Sequence, residues 1–386
     1  MLLQNKKIAI VGGGPGGLTL ARLLQLKGVD VKLYERDKDK YVRQQGATLD
    51  LHYETGLKAL REAGLIEVFK NNYRPGAERF TITDNNAVIH YTERDEEALT
   101  DLNTAYARPE IDRGPLRDLL IDSLQSDTIV WDSKFAALTT NGQGLDIHFD
   151  NGTKAYADLV IAADGANSSI RKYITDIGRI YSGVTIVEGN IYNAAINAPQ
   201  LWQLTNGGKV FALWNNKAIF LSAKGEGSLS FYTSTKETED WAKTSGIDFG
   251  NKAQVFDWFK KRFADWSNSW HEIFATDNSY FVVRPQYYFP VNQSWQSLPN
   301  LTIMGDAAHQ TPPSGEGVNQ AMLDALELAE ALCGDNFDSI PKAIAAFEKE
   351  MCKRNAAVTE EALAMTNGFT GENNLQFMLD FFAAVK

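Results

Sequence analysis

The sequence predicts an α/β fold: a parallel sheet with flanking helices, interleaved with a second unit built on an antiparallel sheet, and a C-terminal helix. Three observations carry this. Residues 7–35 read as strand, glycine turn, helix and strand, the βαβ opening of a parallel sheet. Residues 183–234 read as short strands broken by polar and glycine-rich turns, the pattern of an antiparallel meander. No internal repeat or low-complexity linker separates these regions, so the units are interleaved, not strung in series.

Each element has a local reason. Ile8, Ile10 and Val11 form a short apolar strand. Pro15 suits the first turn of a helix, where its missing N–H costs nothing. Leu18, Ala21, Leu24 and Leu26 give that helix an apolar face, and Gly28 can end it. Val31–Tyr34 is the second strand. Helical spacing returns over 53–70 and 112–125, on either side of a hairpin at 78–92 with the polar turn Asp84-Asn85-Asn86. Strands follow at 129–131, 135–138, 145–149 and 156–162, with Asn141-Gly142 and Asn151-Gly152 as hairpin turns. Within the meander, the breaks are Asn206-Gly207-Gly208, Asn215-Asn216 and Gly225-Glu226-Gly227. A helix over 251–274, strands at 280–289 and 301–304, a helix over 318–333 and a mostly helical tail from 341 complete the chain.

Composition narrows the function. The 386 residues carry a net charge of −11, with 44% hydrophobic and 23% charged residues. That is a folded chain. Its acidic balance argues against nucleic acid or an anionic membrane as partner, because both need local positive charge. No secretory signal and no run of apolar residues long enough to span a membrane is read, so a cytoplasmic location is expected. Cys333 and Cys352 are too few for a disulfide framework and lack metal-ligand spacing. His271-Glu272 begins like a zinc signature, but Ala275 stands where the second histidine belongs, so no metal site is expected. The eight tryptophans read as core and lid residues.

Three motifs carry chemistry. The first is Gly12-Gly13-Gly14-Pro15-Gly16-Gly17, between a strand and a helix, with Glu35 at the end of the next strand. Gly12 permits the tight turn, Gly14 lets the backbone approach a pyrophosphate, and Gly17 allows close helix–strand packing. The helix N-terminus offers N–H groups to phosphates, and Glu35 can accept hydrogen bonds from ribose hydroxyls. The second is Asp164-Gly165-Ala166-Asn167-Ser168-Ser169-Ile170-Arg171, which in isolation also reads as a helix cap. The third runs from Gly305-Asp306-Ala307-Ala308-His309 through Pro312-Pro313-Ser314-Gly315-Glu316-Gly317-Val318-Asn319. A carboxylate at a strand end can hold sugar hydroxyls, and a glycine-rich loop feeding a helix can stabilise negative charge on a bound ring. His309, a lone histidine, reads as structural.

In this order the motifs resemble those of the class A flavoprotein monooxygenases, the para-hydroxybenzoate hydroxylase-like family, over nearly the whole chain. Within the family the stretches Gly46–His52, Thr128–Asp132 and Gly305–Asn319 are similar to those of its tetracycline-inactivating members. The resemblance implies FAD in the glycine-rich site, NADPH as co-substrate without a domain of its own, and molecular oxygen as reactant. NADPH would reduce FAD, and oxygen would reach an electron-rich substrate carbon through a C4a-hydroperoxide, so no protein side chain is assigned as catalytic. It implies a discontinuous Rossmann-like FAD-binding domain (1–73, 107–177 and 292–340), a substrate-binding domain (74–106 and 178–291), a bridging helical segment (341–386) and a monomer. Cofactor-side positions carried over are Gly12, Gly14, Pro15, Gly17, Glu35, Arg36, Arg43, Thr48, Asp50, Arg117, Asp164, Asp306, Pro313, Gly315, Gly317, Val318 and Asn319. Substrate-side positions are Glu188, Lys209, Phe220, Ser230 and Pro313. There the chain departs from the tetracycline-inactivating pattern: Glu188, Lys209 and Ser230 stand at glutamine, arginine and histidine positions, and lysine lacks the planar fork of arginine. A tetracycline or another phenolic polyketide is the expected small-molecule substrate. The alternatives are another phenolic or aromatic substrate, or a chain that binds FAD or a ligand without turnover. A halogenase would carry a W-x-W-x-I-P motif, which is absent.

Overall fold

A computed structural model describes residues 2–42, 48–93, 101–105, 107–276 and 281–384. At its centre is a five-stranded parallel sheet in the spatial order Leu301–Ile303, Leu159–Ala162, Ile8–Val11, Val31–Tyr34, Ile129–Val130. The middle strands Leu159–Ala162 and Ile8–Val11 are apolar and buried throughout, Lys32 of Val31–Tyr34 is exposed, and the helices Pro15–Leu26 and Gly317–Cys333 pack against each other beside the sheet. Val11 pairs with both Tyr34 and Ala162, and Ala162 pairs with Ile303. The carboxyl ends of four strands therefore lie along one edge. Gly12, Glu35, Asp164 and Gly305 all follow from that edge, where open α/β sheets bind ligands.

A three-stranded antiparallel sheet (Phe135–Asn141, Gly144–Phe149, Lys154–Ala157) packs nearby, turning at Asn141-Gly142 and Asn151-Gly152 as the sequence predicts. The expected strand 156–162 is two strands, broken at Asp158, whose carboxylate accepts from the Lys7 N–H.

The second large sheet has seven strands, in the order Phe281–Tyr288, Ile180–Ile191, Leu229–Lys236, Lys217–Ala223, Lys209–Trp214, Phe80–Thr83, Ile89–Thr92. It is mixed: Lys209–Trp214 runs parallel to Phe80–Thr83. Asn215 and Asn216 both take positive φ, 45° and 56°, and form the hairpin turn expected of them. Asn206-Gly207-Gly208 does not. It ends the helix Pro199–Thr205, with Asn206 as a left-handed cap at φ 45°. Proline at the first helical position and asparagine as the cap after the last explain that helix, which the strand pattern around it conceals.

One face of this sheet carries Val187, Ile191, Val210, Ile219, Leu221, Phe231 and Phe281 into an aromatic-rich core with Phe259, Phe263, Trp266 and Trp270. The expected helix 251–274 is an α-helix, Lys252–Arg262, followed by a 3-10 stretch, Asn268–Phe274. Likewise 53–70 is two short helices, Gly56–Glu62 and Ile66–Lys70, parted at Gly64 with φ 70°. The tail forms Ile340–Phe369 and Asn374–Ala384. The last helix lays Met378 and Phe382 on the other face of the sheet, with Phe382 4.3 Å from Phe80. Among the described residues no helix is long and apolar enough to cross a membrane, and no cluster of side chains could hold a metal ion.

Candidate functional site

The glycine turn shows why Gly12, Gly14 and Gly17 are there. Gly12 has φ 116°, and a Cβ on it would enter the Ala163 carbonyl. A Cβ on Gly17 would enter the Gly12 carbonyl. Gly14 is different: nothing in the chain lies within 4 Å of where its Cβ would be. Gly12 and Gly17 close the packing, and Gly14 leaves a cradle. Pro15 opens the helix, and no side chain caps its first N–H groups, so they remain available to an anion.

Glu35 is buried, 2% exposed, and its carboxylate accepts from the N–H groups of Gly13 at 2.6 Å and Asp37 at 3.0 Å. It ties the glycine turn to the end of the second strand. Arg36 beside it is exposed. Arg117, on the helix Arg113–Asp122, buries its guanidinium, donates to the Lys40 carbonyl at 2.8 Å and to Asp37 at 3.4 Å, and lies over Trp131. It braces the loop that follows Glu35. Arg43 lies outside the described residues.

The Asp164 turn abuts Gly12. Asp164 Oδ2 accepts from the Ser169 N–H at 2.9 Å, while Oδ1 is buried with no protein partner. Burial pushes this carboxyl up, against hydrogen bonds from Ser168 and Ser169. Arg171, from the same motif, faces inward. Its guanidinium donates to the carbonyls of Ala307 and Ala308, to Ile177 and to Gln293, and lies 3.6 Å over Phe289. It therefore staples the second motif to the third.

The third motif begins with Gly305 at φ 60°, whose N–H donates to Asp324 at 2.8 Å. Asp324, fully buried, also receives His309 Nε2 at 2.5 Å and the Arg354 guanidinium. His309 is thus held as a structural residue. Asp306 is exposed at the surface of the turn, although protein surrounds its carboxyl. That burial raises its carboxyl, against His309 and Arg113. A Cβ on Gly317 would lie 3.6 Å from Asp306 Oδ1, and one on Gly315, at φ 85°, 3.4 Å from Asp50 Oδ1. Pro313 is exposed on the loop, and Val318 packs against the first core.

Asn319 locks this loop to the segment 50–56. Its Oδ1 accepts from His52 N, Thr55 Oγ1 and Gly56 N, and its Nδ2 donates to the carbonyls of Asp50 and Gly315. Asp50 sits in a two-stranded ribbon directly opposite Glu110. Like charges so placed repel, and two cations offset them. Lys209, reaching from the seven-stranded sheet, forms an ion pair with Glu110. His52 bonds Asp50 at 3.1 Å and Glu316 at 3.2 Å. Burial opposes charge at Asp50, but His52 and Lys209 hold its carboxyl well below the usual range. Burial pushes Glu110 up, against Lys209 and a hydrogen bond from Thr48.

The substrate-side positions share one face. Register aligns Val282, Glu188, Tyr232, Phe220, Phe211 and Ile82 in one cross-strand row. Asn190, Ser230, Ser222, Lys209 and Phe80 form the next. Glu188 is neutralised by Arg284 at 2.5 Å, and Ser230 Oγ is buried with no partner. Phe220 packs edge-on against Phe211 and Phe369, so the C-terminal segment borders this face. Sequence reasoning passed over His52, Glu110, Glu316 and Arg284. His52 and Glu316 lay inside quoted motifs. Only the pairing of residues remote in sequence reveals the other two.

The donor set fits a dinucleotide flavin: an open cradle at Gly14, one carboxylate oxygen without a partner at Asp164, an exposed acid at Asp306 and two helix N-termini. Comparison with known proteins agrees. The chain is 26% identical to the "Monooxygenase penA" of Penicillium thymicola over 84% of each chain. Its fold matches the crystal structure of Klebsiella pneumoniae HpxO complexed with FAD and uric acid at a TM-score of 0.78, with 20% identity over 99% of this chain and 93% of that one. The tetracycline destructase Tet(51) gives 0.72, with 18% identity over 95% and 92%. A family model described as the FAD binding domain matches residues 5–335, so the chain that brings these three glycine turns to one sheet edge belongs to the FAD-binding domain family.

Proposed function

We propose that the protein is an FAD-dependent monooxygenase that consumes NADPH and oxygen and hydroxylates a planar phenolic substrate, with tetracycline-like polyketides the first class to test. What supports this is the family match, together with the link from Gly315 through Asp50 and Glu110 to Lys209 on a sheet face that sets an aromatic row beside a polar one. FAD, when bound, supplies the transfer of electrons from the nicotinamide to oxygen. The chain's residues do the rest. Gly14 and the first N–H groups of Pro15–Leu26 receive the pyrophosphate, and Asp164 and Asp306 take hydroxyl or amide donors. The N-terminus of Gly317–Cys333 places positive potential at the glycine-rich loop. Phe220, Phe211 and Tyr232 offer an aromatic wall, and Ser230 a hydroxyl, to orient a ring and exclude water.

A second reading, a smaller aromatic or heteroaromatic substrate, is favoured by one observation. Lys209 and Glu188 are both spent on partners of this chain, Glu110 and Arg284, so neither charge is open to the oxygen-rich edge of a tetracycline. The relative complexed with uric acid is consistent with it. Mass spectrometry of tetracycline after incubation with the protein, NADPH and air separates the two. A gain of one oxygen that needs NADPH supports the first reading. Unchanged tetracycline from a yellow protein, with NADPH consumption stimulated by a smaller phenol, supports the second. A yellow protein with no substrate-stimulated NADPH consumption would mean binding without turnover.

A further inference from the structure

His52 occupies a position that neither the flavin reading nor the sheet face explains. Its side chain is 14% exposed, and each ring nitrogen meets a carboxylate: Nε2 meets Asp50 Oδ2 at 3.1 Å, and Nδ1 meets Glu316 Oε1 at 3.2 Å. A carboxylate only accepts, so satisfying both requires N–H on both nitrogens, an imidazolium. The two carboxylates come from different elements. Asp50 belongs to the ribbon that also carries Glu110, and Glu316 to the glycine-rich loop at the start of Gly317–Cys333. Asn319 joins the same two segments with neutral hydrogen bonds. Among the described residues His52 is the cation in hydrogen-bond contact with both carboxylates; Lys209 acts on Asp50 from the ribbon side, and Arg108 acts on both carboxylates without such a contact.

We propose that His52 is a positioning residue: its doubly protonated ring ties Asp50 to Glu316 and holds the loop 312–317 in the pose that receives the flavin. Without that cation the two carboxylates repel, Glu316 turns away, and the N–H groups of the loop lose their aim. The geometry assigns His52 no contact with substrate or reacting atoms. Its effect runs through Asp50, which lies against Gly315, and through Glu316, two residues farther along the chain. Burial opposes the charge on His52, but the hydrogen bonds to Asp50 and Glu316 outweigh it and raise its pKa to about 9, so the strap is closed at neutral pH.

The inference rests on the reading that the flavin sits beside this loop, and the test separates the two. FAD release from the holoprotein on dilution is followed by the recovery of flavin fluorescence, for the wild type, His52→Gln, Glu316→Gln and the double variant. The expected result is release about tenfold faster in His52→Gln, the size of one lost charge-assisted contact. In the double variant, where one of the repelling carboxylates is gone, release returns to within about threefold of the wild type. A role in packing alone would leave the double variant no better than His52→Gln, and that result overturns the proposal. So does release from His52→Gln at the wild-type rate. If His52→Gln does not fold, Glu316→Gln alone carries the test: release about threefold faster supports the strap, and no change overturns it. A wild-type chain that takes up no FAD at all overturns the flavin reading and this inference with it.

Discussion

The two walls of the candidate site are made of different material. On the parallel-sheet side the chain presents backbone: glycine turns at 12–17, 165 and 305, two helix N-termini, and an acid, Asp164, with one oxygen held by an N–H group. On the seven-stranded side it presents side chains, two rows set by cross-strand register. A backbone wall tolerates little change, because a glycine at positive φ or in close contact cannot accept a Cβ. A side-chain wall can be rebuilt one residue at a time on an unchanged sheet, so it can carry specificity while the first carries the cofactor.

The largest effect breaks the backbone wall. Gly12→Ala is expected to abolish folding or FAD uptake, because the new methyl enters the Ala163 carbonyl at a φ of 116°. Gly14→Ala, with nothing within 4 Å of its Cβ, should leave apoprotein stability within about 1 kcal/mol while weakening FAD retention. Thermal unfolding with and without FAD distinguishes them. Equal loss of apoprotein stability in both would show that Gly14 is a packing glycine, and the cradle would be lost.

The next effect falls on the joint between the glycine-rich loop and the segment 50–56. Asn319→Ala strands buried donors and acceptors on both segments it links, and should cost about 3 kcal/mol in denaturant unfolding. A cost under about 1 kcal/mol would mean that water replaces the amide.

His52 gives the joint a pH signature of similar size. A pKa raised from 6.5 to about 9 adds stability that is complete below pH 6.5, declines as pH rises, and is gone above 9, ~3 kcal/mol in all. Unfolding midpoints of the wild type should fall relative to His52→Gln across that window. Parallel pH profiles would show that the ring stays neutral.

The smallest effect concerns the side-chain wall. Ser230→Ala removes a buried hydroxyl without a partner, so stability should hold or rise by less than about 1 kcal/mol. The KM for the productive substrate should rise severalfold with FAD retention unchanged. A drop in stability would make Ser230 a structural residue.

This division also decides what could be read from sequence. Gly12, Gly17 and Gly305 were legible because a backbone demand leaves one residue type. The βαβ opening and the Asn215-Asn216 turn were legible for the same reason. The helix Pro199–Thr205 was not, because it is short and its apolar residues face the same core as the strands beside it. The partners of Glu188 and Lys209 were hidden too. Arg284 is 96 residues from Glu188, and Glu110 meets Lys209 only because a ribbon strand and a sheet strand converge. Arg171 was legible as a motif residue but not as a staple, since its direction depends on Phe289 and Gln293.

The interleaving of the two large sheets has a consequence for how the molecule is made. The parallel sheet is incomplete until Leu301–Ile303 pairs with Leu159–Ala162, and the mixed sheet until Phe281–Tyr288 pairs with Ile180–Ile191. During synthesis, a chain of about 250 residues already carries strands of both sheets, each with an edge strand, Leu159–Ala162 and Ile180–Ile191, awaiting its last neighbour. Such edges attract other nascent chains. The protein should therefore depend on chaperones, and on slow or cool synthesis, far more than its finished form would indicate.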